Sequence, residues 1–118
     1  MVTKILIAED DESVLEVLRL ILSRENYQIL TAKNGREAID LYRFARPEIV
    51  LMDIELPEID GITATKEIRS IDPNAKIIGV TAYARSKGEE LTSAGALEII
   101  EKPFNRRKIV STIKKYLS

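Results

Sequence analysis

Hydrophobic and polar residues alternate along this chain in two rhythms. Short apolar runs at Lys4–Ala8, Glu48–Met52 and Lys76–Thr81 read as strands buried on both faces. Tyr27–Thr31 and Leu97–Ile100 add two more strands, and the mixed character of Tyr27–Thr31 suits a sheet edge. Between these runs the apolar residues recur at helical spacing. Val14, Leu15, Leu18, Ile21 and Leu22 mark one helix, and Ala38, Ile39, Tyr42 and Ala45 a second. Ile62, Ile68 and Ile71 mark a third, and Ile109, Val110, Ile113, Tyr116 and Leu117 a last one. A fourth helix, about Arg85–Ala94, has the poorest pattern. Gly88 sits inside it at a cost of ~1 kcal/mol relative to alanine, and large apolar residues are few, so it is expected to be the loosest element.

Punctuation between the elements agrees. Asn34-Gly35-Arg36-Glu37 has the cap-x-x-Glu spacing that satisfies free amides at a helix start. Asp60 is placed to cap the helix that follows Gly61, and Gly95 to end the fourth helix at positive φ. Strict strand–helix alternation predicts an α/β fold, a doubly wound parallel sheet with helices on both faces. Ligands of such sheets gather beyond the carboxyl ends of the strands, where strand order reverses.

Composition narrows the chemistry. Length predicts one domain over residues 1–118. Eighteen basic against nineteen acidic side chains leave a net charge of −1, which gives no nucleic-acid footprint. There is no cysteine, so disulfides, thiolate zinc sites and a cysteine nucleophile are excluded, and there is no histidine. Any histidine base or phosphohistidine must come from a partner. The N-terminal apolar run is too short for a signal peptide, and no stretch approaches the ~20 apolar residues of a membrane span. The expectation is a soluble, cytoplasmic protein.

Polar residues stand where the strands end. Glu9-Asp10-Asp11-Glu12 follows the first strand, Asp53 the third, Thr81 ends the fourth and Glu101-Lys102-Pro103 follows the fifth. Taken singly, each reads as a cap, a turn residue or a solvated lysine. Together they point elsewhere, because carboxylates converging on one sheet edge repel each other and lose solvation unless a cation joins them. Oxygen ligands without histidine or cysteine select a hard ion, and Mg²⁺ (or Mn²⁺) fits best. Thr81 and Lys102 then suit a phosphoryl group. Asp53, at the end of the most apolar strand, becomes the candidate nucleophile for an aspartyl phosphate.

With these residues in hand, the sequence resembles the receiver domains of two-component response regulators. The likeness runs from KILIAEDDESV through IVLMDIELPEIDG and VTAYA to EKPF and the last helix. It implies a flavodoxin-like sheet of order 2-1-3-4-5. It implies a phosphoryl group received on Asp53 from the phosphohistidine of a sensor histidine kinase or phosphotransfer protein. It implies Asp10 as a direct metal ligand, Glu9 acting largely through water, the Glu55 backbone carbonyl completing the ligands, and Thr81 and Lys102 contacting the phosphoryl group. It also implies a cis bond before Pro103 and an output face made of the fourth helix, fifth strand and last helix, read by a downstream protein target. The chain would then be a phosphoacceptor with self-catalysed phosphorylation and dephosphorylation rather than a turnover enzyme, a monomer or a phosphorylation-dependent dimer, with no direct contact to nucleic acid.

Two positions depart from the commonest pattern of that family. Glu9 stands where aspartate is more usual. Ile99 stands where an aromatic ring usually moves inward as Thr81 closes on the phosphate, and Tyr83, two residues past Thr81, is either a substitute for it or a flanking residue. Alternatives are a receiver cut from a longer transcription factor or hybrid kinase, a receiver-like scaffold that is never phosphorylated, and a small haloacid-dehalogenase-type phosphatase. The phosphatase is disfavoured because its Asp-x-Asp signature belongs on the first strand, whereas Asp53-Ile54-Glu55 follows the third. A nucleotide-binding fold is disfavoured because no strand leads into a glycine-rich loop.

Overall fold

The computed structural model describes residues 2–118. The elements in chain order are β1 (Lys4–Ala8), α1 (Glu12–Ser23), β2 (Gln28–Ala32), α2 (Gly35–Ala45), β3 (Ile49–Met52), α3 (Gly61–Ile71), β4 (Ile77–Thr81), α4 (Ala84–Ala94), β5 (Glu98–Glu101) and α5 (Arg106–Leu117). The five strands form one parallel sheet of order β2-β1-β3-β4-β5, as the family resemblance implies. The order reverses between β1 and β3, so the crevice expected for a ligand lies at the end of β1 and β3.

Strand alternation divides the core in two. Leu6, Val50, Met52 and Ile77 face one side of the sheet, where Ala38, Ile39 and Tyr42 of α2, Ala64 and Ile68 of α3 and Leu91 of α4 cover them. Ile5, Ile7, Ile49, Leu51, Ile78 and Val80 face the other, under Leu15, Leu18 and Leu22 of α1 and Ile109 and Ile113 of α5. All of β3 is buried, which anchors the residue that follows it.

Four helices are capped by a side chain: Asp11 accepts from Ser13 and Val14 amides, Asn34 from Glu37, Asp60 from Thr63 and Asn105 from Lys108. Glu37 reaches back to the Lys33 amide rather than to Asn34, one residue further than a simple capping box. Helix α4 has no such cap, since Tyr83 precedes it without a side-chain hydrogen bond. Gly95 ends it at φ 128°, as its position predicts.

Boundaries differ by a residue from those expected. β2 is Gln28–Ala32 rather than Tyr27–Thr31, because the register pairs Lys4 with Gln28 and Ala8 with Ala32. β5 is Glu98–Glu101 rather than Leu97–Ile100, since Thr81 pairs with Glu101. β3 begins at Ile49, β4 at Ile77 and α4 at Ala84, each one residue from the position read in the hydrophobic pattern. Hydrophobicity alone does not mark where ladder bonds start. No described helix is long and apolar enough to cross a membrane.

Candidate functional site

Backbone ladder bonds carry the sheet one residue past its strands and fix the site residues. The Glu9 amide donates to the Ala32 carbonyl at 2.9 Å, the Asp53 amide to Ala8 at 3.1 Å and the Lys102 amide to Thr81 at 2.9 Å. Three residues from distant parts of the sequence are thus held by the same sheet that forms the core. Thr81, the last residue of β4, is fully buried.

One carboxylate oxygen from each of Glu9, Asp10 and Asp53 lies within 4.8 Å of the others. Glu9 is 2% exposed and Asp53 5%, while Asp10 faces solvent. The Lys102 ammonium lies between the two buried acids, 2.7 Å from Glu9 Oε1 and 3.2 Å from Asp53 Oδ2. The remaining oxygens take backbone donors: Glu9 Oε2 accepts from the Asp11 amide at 3.1 Å, and Asp53 Oδ1 from the Ile54 amide at 2.8 Å.

The electrostatics follow from this packing. Burial pushes the Glu9 carboxyl above its ordinary range, against the opposing pull of the Lys102 and Asp11 hydrogen bonds, and the charge of Asp53 pushes it further. Burial works against the Lys102 charge, but the bond to Glu9 and the charges of Asp53 and Glu9 outweigh it and raise its pKa. The lysine is therefore a fixed cation. Three carboxylates so close together, open to solvent on the Asp10 side, are also a donor set suited to a hard divalent ion.

The other expected residues surround this centre. Glu55 is exposed and lines a cleft of about 350 Å³ with Asp60, Thr63, Lys66, Lys87 and Glu90, between α3 and α4. The Thr81 hydroxyl accepts from the Tyr83 amide at 3.0 Å, which ties it to the turn before α4 rather than to the helix itself. Tyr83 is 44% exposed, and Ile99 is half-buried against the core cluster that includes Leu91. The Lys102–Pro103 bond is cis.

Sequence reasoning missed two features. One is the Glu9–Lys102 pair, which the glutamate signals only in retrospect through its extra methylene. The other is the contact of Gly61 with the phosphoacceptor candidate: a Cβ there would lie 1.8 Å from the Asp53 carbonyl oxygen. The Asp60-Gly61 start of α3 is thus fitted against the site as well as capped.

Known proteins are similar to this chain in sequence and in fold. The family described as the response regulator receiver domain matches residues 5–114. The chemotaxis protein CheY of Thermotoga maritima is 40% identical over 114 residues, covering 95% of each chain. Sporulation initiation phosphotransferase F of Bacillus subtilis is 37% identical, covering 97% of this chain and 93% of that protein. Among solved structures, the response regulator TrrA of Thermotoga maritima in complex with Mg²⁺-BeF is similar with a TM-score of 0.89 at 35% identity, covering 97% of this chain and 98% of that one. The receiver domain of a sensor histidine kinase from Pseudomonas aeruginosa, with a magnesium ion coordinated in its active-site cleft, is similar with a TM-score of 0.93 at 28% identity, covering 99% and 98%.

Proposed function

This chain belongs to the response regulator receiver family, and we propose that Asp53 is the residue on which it carries a phosphoryl group. It is a phosphoacceptor signalling domain of the two-component type. The observation that supports Asp53 most is its position: a buried carboxylate at the end of the wholly buried β3, 3.2 Å from a fixed ammonium and grouped with Glu9 and Asp10.

On this proposal the donor is a phosphohistidine on a sensor kinase or phosphotransfer protein, consistent with this chain having no histidine of its own. One Asp53 oxygen attacks phosphorus; the new O–P bond forms as the N–P bond breaks. The electron pair returns to the imidazole nitrogen, which takes up a proton. Lys102 stands against the charge on the transferring oxygens, and the Thr81 hydroxyl is the second contact for them. Glu9, Asp10 and Asp53, with the Glu55 backbone carbonyl, would hold the divalent metal, Mg²⁺ or Mn²⁺. When bound, that ion neutralises phosphoryl charge that the lysine alone leaves uncompensated. The magnesium seen in the Thermotoga and Pseudomonas structures supports this assignment.

The same residues can carry the signal. Thr81 drawn to the phosphoryl group pulls on the Tyr83 amide and hence on the uncapped start of α4. The face made of α4, β5 and α5 would then present a changed surface to a downstream protein, with Ile99 packing in place of a rotating ring. On this reading the chain works in the cytoplasm, as a monomer or a phosphorylation-dependent dimer, and spends its phosphoryl group by hydrolysis rather than turning over a substrate. Incubation with Mg²⁺ and a small phosphodonor should add one phosphoryl group that base and neutral hydroxylamine both remove, absent from Asp53→Asn. A wild-type chain unmodified by both a small donor and a cognate kinase would refute the assignment.

A further inference from the structure

Both oxygens of the two buried acids are already occupied by donors. Lys102 takes one oxygen of each, and the Asp11 and Ile54 amides take the others. The lysine is not shared evenly. It is 2.7 Å from Glu9 and 3.2 Å from Asp53, so its closer partner is the acid on β1, not the phosphoacceptor candidate. The glutamate makes this possible, because its extra methylene carries the carboxylate toward an ammonium anchored on the far side of β3 and β4.

A divalent cation held by Glu9, Asp10 and Asp53 would stand beside that ammonium in a half-buried pocket. Two cations drawing on the same Glu9 carboxylate repel each other where solvent screens them poorly. Given the divalent-cation assignment above, we propose that Glu9 holds Lys102 in reserve: cation entry takes Glu9 away from the lysine and leaves the ammonium to Asp53 alone. Glu9 is in this sense a positioning residue for Lys102 as well as a member of the acidic cluster. Metal occupancy and lysine position are then one linked equilibrium, in which each weakens the other's hold on Glu9.

The test needs no phosphodonor. Free Mn²⁺ is followed by electron paramagnetic resonance with the native chain, Lys102→Met, Glu9→Gln and the double variant. Lys102→Met should tighten Mn²⁺ binding by about fivefold or more, and in the Glu9→Gln background the same change should give less than about twofold. An equal effect in both backgrounds, or none in either, would overturn the proposal. A measurement on the native chain guards against misfolded variants: the Lys102 ammonium resonance should move on Mg²⁺ titration in step with saturation, and an unmoved resonance at saturation would also refute it. Mn²⁺ binding without the Glu9-dependent coupling would sink only the proposal, whereas no Mn²⁺ binding by any of the four would sink the divalent-cation assignment too.

Discussion

Lys102 and Glu9 are 93 residues apart in sequence, yet their charged atoms meet at 2.7 Å. The pair joins the end of β5 to the end of β1, across the two strands between them. It supplies the only side-chain cation recorded against the two buried acids among the described residues.

Lys102→Met should therefore destabilise the metal-free chain by about 1–3 kcal/mol, since it leaves Glu9 and Asp53 buried without a counter-charge. Urea midpoints in the presence of a chelator measure this, and added Mg²⁺ should restore part of the loss by binding the folded state. A variant as stable as the native chain in chelator would contradict it.

Gly61→Ala tests the fit of α3 against the site. Its Cβ would fall 1.8 Å from the Asp53 carbonyl oxygen, backbone that cannot yield cheaply. The expected cost is about 1–3 kcal/mol, together with a shifted Asp53 amide resonance. An undisturbed resonance at that position would show that the contact is not rigid.

Gly88→Ala should do the opposite. The glycine is buried in α4, but nothing lies within 4 Å of the Cβ it would gain. The expected gain is about 0.5–1 kcal/mol, or a melting point higher by about 2–4 °C. An unchanged or lower melting point would count against it.

Tyr42 gives a pH signature at the far end of the sheet. Burial first, then its hydrogen bond to Asp72 at 2.8 Å, push its phenol up to about 12 from an ordinary 10.0. A raised folded pKa means stability that is complete below pH 10.0 and lost as pH rises from there through about 12. Stability measured across that window should fall more steeply in the native chain than in Tyr42→Phe; parallel curves would refute the coupling.

Most of this architecture could be read from the chain, and the reasons are physical. β3 is legible because Ile49–Met52 is apolar throughout, as a strand covered on both sides must be. Asn34 and Asp60 announce their helices because a cap is a local device. Strand ends lie a residue from where hydrophobicity alone puts them because register is set by the partner strand, as when Gln28 rather than Tyr27 meets Lys4. Each member of the acidic centre is legible at its strand end, but the Glu9–Lys102 contact is not. It depends on how far each side chain reaches across the sheet, which residue type alone does not specify.

The central claim is tested most directly at position 53 itself. The chain is phosphorylated with Mg²⁺ and a small phosphodonor, reduced with borohydride and mapped by peptide mass spectrometry. An acyl phosphate on Asp53 predicts homoserine at that position and at no other, with none in a sample lacking donor. Homoserine at Asp10 or Asp60 instead, 5-hydroxynorvaline from a reduced glutamyl phosphate at Glu55, or an unmodified Asp53 in a chain that has taken up phosphate, would contradict it.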